Sequence, residues 1–313
     1  MSRVSMDYHV PVMVREVTDG LVVDPDGTYM DATAGGGGHS EALLHALGKQ
    51  GHLIAVDRDW EAVEASQARL STDARAVVWQ GSFAELSGLL AEQGGGALSG
   101  VLFDLGVSSH QIDVPGRGFS YREDGPLDMR MDPAAGQSAA DLLAVCSETE
   151  LAELIKRYGE ERQARRIARA ICRQRQLEPM RTTQGLRRVV AATQPQMLNK
   201  TLARVFQALR IAVNDELGQL QAGLHAAVSM LKPGGRLAVI AYHSLEDRLV
   251  KQYLVALERG CICPPRLPIC NCGQQPTFKK VVRKPLRAGD EEVRENRRAR
   301  SAIMRIYEKL EVS

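Results

Sequence analysis

The chain reads Asp-Ala-Thr-Ala-Gly-Gly-Gly-Gly-His from residue 31 to residue 39, directly after a short apolar stretch at 28–30. An acidic residue that closes a strand, followed by glycines and a helix, forms a turn that lets the backbone approach an adenosyl cofactor closely. Asp57 ends the next apolar stretch, about 20 residues further on, where a carboxylate can bind a ribose diol. A glycine-rich turn alone is usually only a loop. The full order of strand, glycines, helix, strand and carboxylate predicts a nucleotide-like cofactor.

The residues of the turn separate two cofactor classes. A dinucleotide turn has the pattern Gly-x-Gly-x-x-Gly, whose third glycine eases helix packing beneath a pyrophosphate. Here the glycines stop at Gly38 and are followed by His39, Ser40 and Glu41, which suits a ligand that ends in an amino acid better. Residues 231–237, Leu-Lys-Pro-Gly-Gly-Arg-Leu, join an apolar helix to an apolar strand, as in many class I methyltransferases. We therefore favour S-adenosyl-L-methionine over a nicotinamide dinucleotide.

Apolar strands and amphipathic helices alternate from residue 27 to residue 105, which predicts an α/β fold with a doubly wound, mostly parallel sheet. Only helical periodicity remains from residue 138 to residue 210. We therefore expect a cofactor domain at 1–112 and 216–313, and a helical substrate-recognition domain at 113–215, inserted between the fourth and fifth strands. The predicted strands are 28–33, 52–57, 75–80, 100–105 and 236–242, and the predicted helices nearest the turn are 40–47, 60–70 and 84–92.

Composition sets broad limits on function. The 313 residues are 44% hydrophobic and 25% charged, as in a globular protein of one large or two ordinary domains. Aromatic residues make up only 4%, which argues against a surface built mainly from base-stacking platforms. No stretch approaches the ~20 apolar residues of a membrane helix, and the N-terminus lacks a signal pattern. We expect a cytoplasmic protein without a membrane partner.

Positive charge is concentrated in two segments although the net charge is only +2. Residues 156–210 contain 14 Lys and Arg against three acidic residues, and residues 279–300 contain nine against four. In the first segment, helical periodicity predicts a buried face of Ala164, Ile167, Ala168 and Ile171, and a basic face of Arg162, Arg166, Arg169 and Arg173. The pattern suggests a polyanionic substrate held through phosphates, with an ordinary exposed helix, in which Glu160 and Glu161 pair with Arg165, as the alternative.

Nine stretches together resemble the RsmH (MraW) family of 16S ribosomal RNA cytosine N(4)-methyltransferases. The glycine turn by itself is generic, whereas the stretches within 117–132 and 242–248 are specific. The matching stretches are 9–13, 31–39, 55–59, 103–109, 117–120, 125–132, 158–161, 242–248 and 296–301.

The resemblance implies a class I (Rossmann-like) methyltransferase with an inserted helical domain. It implies methyl transfer from S-adenosyl-L-methionine to the exocyclic N(4) amine of a P-site cytidine in the decoding region of 16S rRNA. The implied partner is 16S rRNA within the small ribosomal subunit, and no DNA partner is expected. Whether the protein forms a homodimer is left open. Two other functions stay open at this point: a nicotinamide-dependent dehydrogenase, and a noncatalytic RNA-binding or assembly factor with a vestigial fold.

Matched residue by residue, the resemblance also implies the cofactor contacts. The backbone at 37–39 would meet the amino-acid end of the cofactor, Asp57 the ribose hydroxyls and Phe83 the adenine, while Asp104 and Gln111 would border the methyl donor. Phe83 as a core residue and Asp104 as a turn cap are the structural alternatives. The implied contacts are Gly37, Gly38, His39, Asp57, Phe83, Asp104 and Gln111.

Methylation of a weakly nucleophilic amine benefits from an acceptor for its protons. Many amino-methylating enzymes place an Asn/Asp/Ser-Pro-Pro-aromatic tetrapeptide after the fourth strand, but this chain has Asp-Leu-Gly-Val at 104–107. This departure from the tetrapeptide counts against a base at this position. The candidates for a base are, in order, Asp104, Ser108 and His243. Residues 113–132 are rich in glycine and are either a segment that closes over the target base or an ordered connection.

Four of the six cysteines form two pairs, Cys261 with Cys263 and Cys270 with Cys272. Disulfides are unexpected in a reducing compartment, and four thiolates could hold one zinc ion. A single residue between the cysteines of each pair is shorter than the usual spacing, so we assign no metal. The alternatives are a zinc site and a thiol-rich loop, and Cys146 and Cys172 are expected to be buried on helices.

Overall fold

The computed structural model describes residues 11–92, 96–263 and 272–311. Seven strands form one sheet in the order β3-β2-β1-β4-β5-β7-β6. β1 to β5 pair in parallel, and β7 runs antiparallel between β5 and β6. The strands are β1 (Thr28–Asp31), β2 (His52–Asp57), β3 (Ala76–Gln80), β4 (Leu98–Asp104), β5 (Leu231–Ala241), β6 (Phe278–Lys280) and β7 (Ile303–Lys309).

Helices cover both faces of the sheet and also form a second unit in the chain between β4 and β5. Short 3₁₀ helices lie at Phe83–Glu85, Pro115–Arg117 and Arg297–Ser301. The α-helices are α1 (Val14–Leu21), α2 (Gly38–Ala46), α3 (Trp60–Leu70), α4 (Leu86–Glu92), α5 (Ser109–Asp113), α6 (Ala139–Val145), α7 (Glu148–Gly159), α8 (Ala164–Leu177), α9 (Thr183–Ala192), α10 (Leu198–Asn214), α11 (Glu216–Met230), α12 (Ser244–Arg259) and α13 (Asp290–Glu295).

The chain divides into two compact units, residues 107–216 and the sheet unit on either side of them in sequence. In the sheet unit, successive residues of the central strands face opposite sides, and both sides are buried. Val101 and Phe103 pack with α4, α11 and α12, while Leu102 packs with α1 and α2. The helical unit has a core of its own, to which α6 to α10 all contribute.

The fold class predicted from the sequence is confirmed, since parallel strands alternate with helices on both faces of a mostly parallel sheet. β2 and α3 have the predicted bounds. β5 begins at Leu231 rather than at residue 236, and its pairing with β4 shifts register between Leu98 and Gly100. The sequence reading missed α1, β6 and β7. No helix in the described ranges has the length and apolarity needed to cross a membrane.

Candidate functional site

The glycine turn lies at the carboxyl end of β1 and is closed by the buried side chain of Asp31. One carboxylate oxygen accepts from the backbone N–H of Thr33 at 3.1 Å, and the other accepts from the hydroxyl of Ser40 at 2.7 Å. Gly35 and Gly37 have φ values of +53° and +76°, which favour glycine. Asp31 thereby ties the start of the turn to the first turn of α2.

Close packing explains why the turn needs glycine at its end. A Cβ on Gly37 would lie 3.2 Å from Ser66, and one on Gly38 would lie 2.9 Å from Pro11. α2 begins at Gly38, so the first N–H groups of the helix have no acceptor within it and carry its positive end. Such a terminus can bind the carboxylate of an amino-acid ligand.

Asp57 lies at the end of β2 and is held against the glycine turn. Its Oδ2 accepts from the N–H of Gly35 at 2.8 Å, and its Oδ1 accepts from the N–H of Asp59 at 2.9 Å. Burial raises the pKa of Asp57 to about 6, although the two N–H donors oppose the shift. The structure thus places the second acidic residue of the pattern beside the glycines.

Asp104 ends β4 at the same edge of the sheet. Its N–H donates to the hydroxyl of Thr33 at 2.6 Å, and its Oδ1 accepts from the hydroxyl of Tyr242 at 2.8 Å. The side chain keeps 22% of its surface exposed, so an incoming group can reach it. Burial raises the pKa of the Asp104 carboxyl above its usual value, while His39 and the Tyr242 hydrogen bond partly offset that rise.

His39 joins Asp104 to the start of the chain. Its Nε2 lies 2.8 Å from the carbonyl oxygen of Val12, and its Nδ1 lies 3.4 Å from Oδ2 of Asp104. Both ring nitrogens of His39 therefore face oxygen atoms of the chain. The side chain of His39 therefore helps to hold Asp104, in addition to the backbone role expected for residues 37–39.

Tyr242 is a site residue that sequence reasoning missed, although the stretch 242–248 was singled out. It follows β5 directly, and the carboxyl ends of parallel strands meet at one edge of the sheet. Burial, followed by the charge of Asp104, raises the pKa of the Tyr242 hydroxyl, which keeps it a hydrogen-bond donor. The position of Tyr242 at the end of a predicted strand was the feature of the sequence that could have identified it as a site residue.

His243 has a structural position. Its side chain caps the N-terminus of α12, where Nδ1 accepts from the N–H of Glu246 at 3.3 Å. The buried carboxylate of Glu246 in turn accepts from the N–H groups of Tyr242 and His243 at 2.9 and 3.2 Å. The Nδ1 lone pair of His243 is thus used in the cap, which leaves the third candidate base poorly suited to that role.

Phe83 opens the 3₁₀ helix after β3 and is half-buried. Its ring meets Phe103 edge to face, with centroids 5.1 Å apart. Gly223 makes room for it, because a Cβ there would lie 2.9 Å from Cβ of Phe83. The residue packs against the core and is also partly exposed, so a role in the core and a contact with the adenine are compatible.

Gln111 and Ser108, also singled out from the sequence, belong to the helical unit. They form a capping box at the start of α5: the Gln111 amide oxygen accepts from Ser108 N–H at 3.0 Å, and the Ser108 hydroxyl accepts from Gln111 N–H at 3.2 Å. Gln111 is buried. The sheet unit brings together the glycine turn, His39, Asp57 and Asp104, while these two side chains hold a helix end.

Residues 113–132 form an ordered connection, because they pack into the core of the helical unit. Leu127 and Met129 are buried there. Arg117, also buried, donates to the carbonyl oxygens of Arg130 and Met131 at 3.2 and 3.0 Å. Of the two interpretations of this segment, the structure favours the connection.

The basic face of α8 has the predicted arrangement. Ala164, Ile167, Ala168 and Ile171 are buried, whereas Arg166, Arg169 and Arg173 are exposed. Arg162 is also exposed but lies before the first residue of the helix. Glu161 pairs with Arg204 on α10 at 3.3 Å rather than with Arg165, the partner expected for it in an ordinary exposed helix. Arg169 pairs with Glu148 on α7 at 3.2 Å.

The described residues include five of the six cysteines. Cys146 and Cys172 are half-buried rather than buried, because they lie at the margin of the helical core. The interpretation with four thiolates involves Cys270, which lies outside the described residues.

The chain is similar to known methylases over nearly its whole length. Residues 6–310 match the MraW methylase family. A ribosomal RNA small subunit methyltransferase H from Trichlorobacter lovleyi is 49% identical over 308 residues, which cover 97% of this chain and 98% of that protein. The protein of the same name from Heliobacterium modesticaldum is 45% identical, with 97% and 99% covered. That from Xanthomonas euvesicatoria pv. vesicatoria is 48% identical, with 97% and 89% covered.

Proposed function

Since this chain belongs to the MraW methylase family, we propose that it methylates the exocyclic N(4) amine of a P-site cytidine in the decoding region of 16S rRNA. Family membership makes the chain an S-adenosyl-L-methionine-dependent methyltransferase of small-subunit rRNA, which leaves no place for the dehydrogenase alternative. The cytidine, its N(4) atom and the residues that act on it are our proposal, as are the ribosomal subunit as partner and the cytoplasm as compartment.

The residues of the glycine turn fit this cofactor. The N–H groups at the start of α2 would bind its carboxylate, and the Asp57 carboxylate would accept from its ribose hydroxyls. Phe83 would lie against the adenine with the surface that Phe103 leaves uncovered. Gln111 remains a proposed contact whose side chain is held in the capping box of α5.

Methyl transfer requires mainly alignment. The bound sulfonium supplies an electrophilic methyl group, and the acceptor nitrogen must approach to about 3–3.5 Å in line with the bond that breaks. The cytosine amine is weakly nucleophilic because its lone pair is conjugated with the ring. A carboxylate that accepts a hydrogen bond from this amine favours attack and can then take the proton.

Asp104 fits that role best. It is fixed by Tyr242 and His39 at the edge of the sheet that carries the glycine turn, and part of its carboxylate stays exposed. Its raised pKa makes it a stronger base than an ordinary aspartate. This carboxyl group, held beside the cofactor turn, is the observation that carries the proposal.

The helical unit is proposed to bind the RNA. The exposed arginines of α8 present positive charge to phosphates, and this contact positions the substrate without reading its sequence. The target base must be unpaired or flipped out before it can reach Asp104.

The direct test replaces Asp104 with its near-isosteric amide. In Asp104→Asn, we expect the single-turnover rate of methyl transfer to fall about 100-fold or more, while cofactor affinity measured by calorimetry changes little. Asp19→Asn, on the exposed side of α1, serves as the control and should transfer at the wild-type rate. A normal rate in Asp104→Asn would remove Asp104 from the chemistry.

A further inference from the structure

The loop that follows α12 is closed at its base by tight backbone contacts. Gly260 ends the helix with φ of +65°, and a Cβ at this position would lie 2.3 Å from the carbonyl carbon of Gln275. The N–H of Thr277 donates to the carbonyl of Leu257 at 3.0 Å, which joins the returning chain to the end of the helix. Residues on both sides of this closed base therefore lie near each other.

Three cysteines converge there. The Sγ atoms of Cys261, Cys263 and Cys272 all lie within 4.8 Å of one another, and those of Cys261 and Cys272 are 3.7 Å apart. A disulfide requires about 2.05 Å. Thiolates bound tetrahedrally to zinc at about 2.3 Å lie about 3.8 Å from one another. The Cys261–Cys272 distance therefore matches one edge of a zinc–thiolate tetrahedron.

The short spacing in the sequence does not prevent convergence. Alternate residues of an extended chain face the same side, and Ile262, between the two cysteines, is 71% exposed while both neighbours are half-buried. The third thiol comes from the returning chain at Cys272. Two cysteines on one segment and one on the other supply ligands from both sides of the loop.

We propose that Cys261, Cys263 and Cys272 bind one zinc ion through their thiolates, away from the methyl-transfer site. Three converging sulfur ligands suit zinc and would occupy three of its four tetrahedral positions. Binding displaces the thiol protons and joins Cys261 and Cys263 to Cys272 across the stretch 264–271, so that the metal stabilises this part of the chain much as a crosslink does.

The first test measures metal in the full-length protein purified with reductant from zinc-supplemented cells. We expect about one zinc per chain, loss of most of it in Cys261→Ser and in Cys272→Ser, and full retention in the control Cys172→Ser. Cobalt in place of zinc should give thiolate charge-transfer bands and the intense d–d bands of a tetrahedral site. Circular dichroism verifies that each variant is folded.

A second measurement uses the wild-type chain alone, so that it does not depend on the folding of variants. Zinc should protect Cys261, Cys263 and Cys272 from alkylation, as read by peptide mass spectrometry, and should leave Cys146 equally reactive with and without metal. Zinc-independent alkylation, absence of bound zinc, zinc retained after all three cysteines are replaced, or a disulfide among them in the reduced protein would each overturn the proposal.

Discussion

At the scale of single residues, the Tyr242 hydroxyl lowers the basicity of Asp104. Its hydrogen bond stabilises the carboxylate and lowers the pKa of Asp104 against the effect of burial. In Tyr242→Phe this donor is lost, so the pKa of Asp104 should rise. Because the deprotonated carboxylate is the reactive form, the acidic limb of the pH–rate profile should move to higher pH.

Single-turnover transfer measured across pH tests this prediction. Tyr253→Phe is the matched control, since its hydroxyl contacts His225 instead of the site. If the acidic limb of Tyr242→Phe coincides with that of the wild type, Tyr242 does not act through Asp104.

Asp57 should make stability depend on pH in an unusual direction. Its pKa is about 6 in the folded chain, against about 3.9 for an unperturbed aspartate, so the folded state binds its proton first as the pH falls. The Asp57 carboxyl therefore makes its full contribution to the free energy of unfolding below about pH 4, and this contribution is lost as the pH rises through about 6. The free energy of unfolding of wild type minus that of Asp57→Ala should increase between pH 7 and pH 4.

Urea unfolding at several pH values measures that difference. Asp73 provides the opposite case, because Arg75 lowers its pKa to about 2. The corresponding difference for Asp73→Ala should stay flat over the same range, and a flat result for Asp57 would contradict its raised pKa.

The site residues that the sequence predicted correctly are those at the ends of strands. Asp57 closes the predicted strand 52–57, and Asp104 lies one residue before the end of the predicted strand 100–105, so both were expected at the same edge of the parallel sheet. The contact between His39 and Asp104 and the cap formed by His243 depend on side-chain directions across elements. No pattern within one element encodes such directions.

At the scale of elements, α8 should determine the salt dependence of RNA binding. Arg166 and Arg173 are exposed on its basic face. Replacing both with Gln should reduce the slope of log affinity against log salt by about 1 for each phosphate contact removed. Filter binding to small subunits at several salt concentrations measures the slope.

Lys49→Gln, an exposed change after α2 in the sheet unit, is the control for the loss of positive charge. An unchanged slope in the double α8 variant would exclude this face from the RNA interface.

The connection through residues 113–132 should depend strongly on Gly118. This residue has φ of +75°, and a Cβ would lie 2.3 Å from the carbonyl oxygen of Pro126. We expect Gly118→Ala to lower the free energy of unfolding by about 1–3 kcal/mol, as measured in urea. A Cβ on Gly116 would have no atom within 4 Å, so Gly116→Ala should lower the free energy of unfolding far less. Equal losses of stability in the two variants would argue against a tightly packed connection.

Paired charges explain why β7 was not predicted from the sequence. β7 alternates imperfectly between apolar and polar residues, because it carries charged side chains such as Arg305 and Glu308. Those charges are paired, since Arg305 binds Asp247 at 2.8 Å and Glu308 binds Arg236 at 3.1 Å. Ion pairs with α12 and with β5 let this charged segment join the sheet, and such pairs cannot be predicted from the sequence of the segment alone.

At the scale of the whole molecule, the order of helices and strands was predictable because apolar periodicity changes where the second unit begins. Each unit then builds a separate core. The antiparallel end of the sheet, β6 and β7, was not predictable in this way, because it rests on pairing between β5 and a strand more than sixty residues later. Long-range pairing of this kind leaves only a weak local signal.

The most direct test of the function is methyl transfer from labelled S-adenosyl-L-methionine to small ribosomal subunits that lack the modification, followed by nucleoside analysis of the RNA. We predict label in N(4)-methylcytidine of 16S rRNA, with much less transfer to a short isolated hairpin of the same sequence, because the exposed basic segments suit a large structured substrate. Label in another nucleoside, or no transfer despite cofactor binding, would contradict the proposed reaction and favour a noncatalytic role in binding RNA.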